Sequence, residues 1–251
     1  MSLFLLTSAA RSPGVTTLAV ALALNSAEPS VLVDANREPN QAVLAGYLRG
    51  TDPQGCGLGG LLQAHREHRP LATAWESMLL PLGEHSQFLP GFAHPGMVSL
   101  FNPVWPELAD VLEADPRPIY VDAGRIGTSG LPAPLIAASS SLAVVTRTTL
   151  PDLAALRLYL PQVQEAAGVE RVGLVLVGPG RPYGAPEIRK RFDVPIWGQL
   201  SWQPTEVERY AFGAEPRRRR IPEPYRQDVI SLATTLADRH TRRRALIGIR
   251  S

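Results

Sequence analysis

Leu3-Phe4-Leu5-Leu6-Thr7-Ser8-Ala9-Ala10-Arg11-Ser12-Pro13-Gly14-Val15-Thr16-Thr17, continued by Val31-Leu32-Val33-Asp34, is the stretch on which the fold turns. The first apolar run is short enough for a buried strand, and the small and turn-forming residues at 7–14 make a tight loop. Residues 15–25 read as a helix, and Val31 to Val33 as a second buried strand with Asp34 at its carboxyl end. Strand, loop, helix, strand is the opening of a parallel sheet. In open α/β sheets ligands bind beyond the carboxyl ends of the strands, and the first strand-to-helix loop commonly cradles phosphate. A secretory signal would begin with basic residues; here the apolar run comes first and the first positive charge, Arg11, follows it.

Outward from this unit, short apolar runs alternate with helical patterns along the chain. Core strands are expected at 3–6, 31–34, 119–122, 142–146, 172–177 and 196–200, with short pieces around 78–80 and 87–89. Helices are expected at 15–25, 57–67, 106–114, 132–138, 151–166, 186–191, 205–212 and 225–239. Several begin at or beside proline, which suits a first helical turn. Tyr225, Val229, Leu232 and Leu236 share one face of the last helix, so that helix should dock on the sheet. The expectation is an α/β, doubly wound, mostly parallel sheet of about seven strands with helices on both faces. It forms one domain over 1–251 with a basic C-terminal extension from about 240.

The composition is that of a soluble globular protein, with 251 residues, 45% hydrophobic, 19% charged and a net charge of +2. No apolar run reaches the roughly 18 residues that span a bilayer. The single cysteine, Cys56, excludes an intramolecular disulfide and a cysteine zinc cluster, and fits a reducing, cytoplasmic setting. Of the 25 basic residues only Lys190 is lysine, and it lies on the helix expected at 186–191.

The tail Gly14-Val15-Thr16-Thr17 falls where a phosphate-binding loop has Gly-Lys-Thr-Thr. Here the sequence resembles the deviant Walker A ATPases of the MinD and ParA type, whose loop runs Lys-Gly-Gly-x-Gly-Lys-Thr-Thr. It is similar to an actinobacterial branch with a Ser-Pro-Gly-Val-Thr-Thr core, Ser12 to Thr17 in this chain. Val31 to Asn36 resembles the strand ending in Asp-x-Asp, with Asn40 on that motif's trailing asparagine. Ile119-Tyr120-Val121-Asp122 resembles the Walker B strand, and 144–151, 181–183 and 194–200 resemble the later strands and loops. The resemblance implies an ATP or ADP site with magnesium. Arg11, Ser12, Pro13, Gly14, Val15, Thr16, Thr17, Asp34 and Asp122 would form it. Thr16 would face the metal, Thr17 would contact the α-phosphate, and the two aspartates would support the metal through water.

The departures from the family are in charge. The family's signature lysine, which reaches a partner subunit's nucleotide, aligns with Ala10; its phosphate-bridging lysine aligns with Val15; the second acid of Asp-x-Asp aligns with Asn36. Phosphoryl transfer depends on positioning and electrostatic stabilisation, so the loss of three such groups should leave little hydrolysis. Arg11 adds a positive charge, but its fork does not replace a lysine inside a tight loop. Two readings of the loop stay open: residual nucleotide binding, or a vestige in which Thr16 and Thr17 start a helix and the aspartates end strands.

Outside the loop, His65 and His68 share a helix face with only Glu67 near, which reads as polar surface rather than metal site. Gly127 to Gly130 lacks the strand-to-helix framing of a hydrolase elbow. Phe88, Pro90, Phe92 and Pro95, flanked by His85 and His94, read as a loop packed over the sheet or as a binding surface. Arg217, Arg218, Arg219 and Arg220, with Arg242 to Arg244, read as a solvated turn, a nonspecific DNA contact or a contact with anionic lipid. DNA contact would show as affinity that falls steeply with salt and is lost when Arg217 to Arg220 become serine; salt-independent binding would exclude it.

Three functions follow. The first is a non-hydrolysing nucleotide sensor or structural partner, a homodimer or a heterodimer with an active ATPase, serving a partitioning, pilus or secretion assembly. The others are a weak ATPase switch and an arginine-dependent nonspecific DNA binder.

Overall fold

The computed structural model describes residues 2–10, 13–214 and 223–248. Eight strands form one sheet: β1 (Ser2–Ser8), β2 (Ser30–Asp34), β3 (Leu80–Pro81), β4 (Ser86–Leu89), β5 (Pro118–Arg125), β6 (Ser141–Arg147), β7 (Val172–Val177) and β8 (Ile196–Leu200). Their spatial order is β3-β4-β2-β5-β1-β6-β7-β8, and every neighbouring pair is parallel except β3 with β4. The helices are α1 (Val15–Leu24), α2 (Leu58–Arg66), α3 (Leu71–Ala74), α4 (Gly96–Leu100), α5 (Trp105–Ala114), α6 (Ala133–Ala138), α7 (Leu150–Ala167), α8 (Ala185–Phe192), α9 (Pro204–Phe212) and α10 (Pro224–Gly248).

The alternation of each strand divides the core into two layers. On β1, Leu3 and Leu5 pack with α2, α5, α6 and α7, whereas Phe4 and Leu6 pack with α1, α9 and α10. Proline within the first two positions of α5, α6, α7, α8 and α9 supplies the fixed backbone angle that a helix start tolerates. Glycines in the left-handed region end α7 (Gly168, φ 84°) and α9 (Gly213, φ 60°), where a side chain would be strained.

The short pieces read around 78–80 and 87–89 are β3 and β4, which bring the sheet to eight strands. Two expectations are corrected. The loop reading of the stretch from Phe88 fails, since Phe88 and Leu89 lie inside β4 and Phe92 is buried against Phe101 and Trp105. The last helix continues to Gly248 rather than stopping at Arg239. Arginine and alanine are good helix formers, so the basic run prolongs the helix instead of breaking it. Its expected docking face is present, with Tyr225, Val229, Leu232 and Leu236 all buried.

At the far edge, three groups pack in succession. A Cβ added at Gly173 would lie 2.1 Å from the Trp197 indole, and the Arg239 guanidinium sits 4.4 Å from that ring's centroid. The bare backbone of β7 thus seats the indole of β8, and the indole seats α10.

Candidate functional site

The site grows from the carboxyl ends of β1, β2 and β5, which are adjacent in the sheet. Asp34 and Asp122 are register partners at the ends of β2 and β5, and both are buried. Each carboxylate receives a local backbone N–H: Asn36 donates to Asp34 at 3.1 Å and Gly124 to Asp122 at 2.9 Å. Thr16, in the first turn of α1, donates its hydroxyl to Asp122 at 2.5 Å. Burial and the neighbouring Asp122 charge raise the Asp34 pKa to about 7, and burial likewise raises Asp122. Two acids that resist ionisation side by side suit a cation brought in from outside.

The loop enters α1 through Gly14, whose φ of 99° lies in the left-handed region that favours glycine, and no side chain caps the helix start. Val15 is buried in the layer formed with α1, α9 and α10. Ser8 Oγ, buried at the end of β1, has no hydrogen-bond partner among the described residues. Beside the loop lies a cavity of about 340 Å³ lined by Pro13, Gly14, Thr17, Arg147, Trp202 and Tyr225, among others. Trp202 packs with two guanidinium groups, Arg147 at 5.5 Å and Arg181 at 5.3 Å from its ring centroid.

The loops after β2 and β5 are tied to one another. Arg37 donates to the carbonyls of Ser129 and Gly130 at 3.3 and 3.2 Å, and Arg125 pairs with Glu38. Close packing fixes their path: a Cβ at Gly124 would fall 2.1 Å from the Asn36 amide oxygen, and one at Gly91 would fall 2.6 Å from the Asp34 carboxylate.

The structure thus brings Pro13, Gly14, Val15, Thr16, Thr17, Asp34 and Asp122 to one edge of the sheet. Arg11, Ser12 and Arg217 to Arg220 lie outside the described residues. Lys190 is exposed on α8. His65 is not plain polar surface: it is half-buried and bonded to Glu107 on α5 at 3.1 Å. Among the described residues no three His, Cys, Asp or Glu side chains gather as a metal site. Sequence reasoning missed Gly91, Gly124, Arg147 and Trp202, which come from four separate segments. The one available signal was their common position at or just after the ends of predicted strands.

Thr16→Val should cost roughly 2 kcal/mol of stability, because a buried carboxylate loses a donor. Urea denaturation measures it, and Thr16→Ser should recover most of the loss. A Thr16→Val protein as stable as the parent would show that this hydrogen bond carries no net weight.

A mostly parallel doubly wound sheet, with a glycine turn leading from its first strand into a helix and aspartates ending two neighbouring strands, is the P-loop NTPase fold of the MinD and ParA type. No family model matches the sequence, and no curated protein does. Among solved structures, the chain is similar to a ParA family ATPase from Chlorobium tepidum TLS, with a TM-score of 0.69 at 16% identity over 96% of this chain and 98% of that one. It is also similar to MinD from Pyrococcus horikoshii OT3 complexed with Mg-ADP (TM-score 0.68, 18% identity, 92% and 94% covered). A third is a chain of the MinC:MinD cell division protein complex of Aquifex aeolicus (TM-score 0.68, 15% identity, 95% and 96% covered). Among the described residues no helix is long and apolar enough to cross a membrane.

Proposed function

We propose that the chain is a degenerate relative of the MinD and ParA ATPases. It binds Mg-nucleotide without appreciable hydrolysis and acts, as a homodimer or beside an active ATPase, to position a larger assembly of the partitioning, pilus or secretion kind. The observation that carries this reading is Val15. At the place of the family's phosphate-bridging lysine stands an apolar side chain only 6% exposed and packed in the core. The two acids at this edge, Asp34 and Asp122, therefore have no loop lysine to balance them.

The residues present fit a magnesium ion better than they fit a transferring phosphoryl group. Two carboxylates, the Thr16 hydroxyl and the unpartnered Ser8 hydroxyl are all oxygen donors, the class that magnesium selects. Thr16 and Asp122 would hold the ion, with Asp34 supporting it, and the bound ion would supply the positive charge that the loop lacks. The amides of the first turn of α1 would hold phosphate oxygens. The cavity beside Gly14, walled by Trp202, has room for a base, which favours the sensing form of this reading over a purely structural one.

Two measurements test it. Nucleotide extracted from the freshly purified protein should include an adenine nucleotide, released by EDTA. ATP turnover with magnesium should match that of Asp122→Ala and of a protein-free blank. Magnesium-dependent turnover that Asp122→Ala removes would instead establish a weak ATPase switch.

A further inference from the structure

On the other face of the sheet from α1, the helices α7 and α8 leave an apolar groove of about 890 Å³ between them. Leu153, Ile188 and Phe192 form its floor, and Leu150 and Leu158 stand on its wall 62% and 76% exposed. Two leucines so exposed on one helix, about two turns apart, are costly to leave in water, and they flank a recess rather than a convex surface. The rim is positively charged. Arg157 and Arg191 line it, are exposed, and make no ion pair among the described residues. The rim's acid, Glu187, is already engaged, accepting the Gly184 N–H at 2.7 Å to cap α8.

We propose that this groove docks an amphipathic helix of a partner protein, with apolar residues on one face and acidic residues flanking them. Charge decides against the other occupants. A second copy packed here about a two-fold axis would bring the same unpaired arginines together. The longest stretch outside the described residues, 215–222, holds four arginines and one glutamate, so it carries the rim's own sign. A groove between two helices admits a third helix through anchors at i, i+3 or i+4, and i+7, and acidic flanks answer the free guanidiniums. The groove and the cavity beside the loop share no lining residue, so this docking does not rest on nucleotide binding.

The test uses a displayed library of random 16-residue peptides, selected on the full chain and counter-selected on Leu158→Asp. Selected peptides should carry helically spaced apolar residues with net negative charge. Fluorescence anisotropy with a labelled winner should show binding at least about tenfold weaker to Leu158→Asp and to Arg157→Glu/Arg191→Glu. It should also weaken as salt rises. All three substitutions are on the surface, and unchanged melting temperatures confirm folding. The proposal is overturned if nothing is enriched over the counter-selection, or if the winners are basic or bind all variants equally. Sedimentation velocity supplies a further arm: self-association abolished by Leu158→Asp would place a second copy in the groove and overturn the partner helix.

Discussion

Asp34→Asn raises the melting temperature at pH 8 and leaves it nearly unchanged at pH 4. In the unfolded chain this carboxyl ionises near 3.8, but in the folded chain only near 7, because it is buried beside Asp122. Between those values the folded chain holds a proton that the unfolded chain has released. Stability therefore falls as pH rises through this window and levels off above it. The interval corresponds to roughly 4 kcal/mol as an upper bound, since the two acids share the burden. Asparagine keeps the acceptor for the Asn36 N–H and removes the charge. For a chain of this size the gain at pH 8 should reach about 5–10 °C, read by calorimetry between the two pH values. A variant less stable than the parent at pH 8 would mean that a cation already holds Asp34 ionised in the folded chain. Adding magnesium to the parent at pH 8 should then raise its melting temperature.

Gly173→Val should cost about 3 kcal/mol or more, at the upper end of what overpacking a core takes. The position is ordinary strand backbone, so the cost is steric: the new side chain occupies the space of the Trp197 indole. Displacing the indole also unseats Arg239 and loosens α10 from β8. Urea denaturation checks the size, and a second variant checks the cause. Trp197→Ala is itself destabilising by about 3–5 kcal/mol, yet adding Gly173→Val to it should cost little more, because the obstacle is gone. Additive losses would show that the strain lies elsewhere.

Local pattern made much of this architecture legible. All six core strands read from apolar runs are present, and the docking face of α10 follows from four residues at helical spacing. Strand order is not local, so nothing in Ser86 to Leu89 announces that β4 sits beside β2 and brings Gly91 against the Asp34 carboxylate. For the site, Thr16, Asp34 and Asp122 could be read because each ends or begins a regular element. Arg147 ends β6 in the same way, but its meeting with Arg181 and Trp202 could not be read, since three segments distant in sequence come together only once the sheet is assembled. The Asn36–Gly124 packing escaped notice for the same reason.

Of the four tryptophans, Trp75, Trp105 and Trp197 are 3–6% exposed, whereas Trp202 is 41% exposed on the wall of the loop cavity. A neutral collisional quencher such as acrylamide will therefore extinguish emission from Trp202 and leave the other three bright. Anything that fills the cavity shields that one indole and restores its share of the signal. The protein thus carries an unlabelled optical reporter beside its own loop, able to distinguish a filled cavity from an empty one in a cuvette.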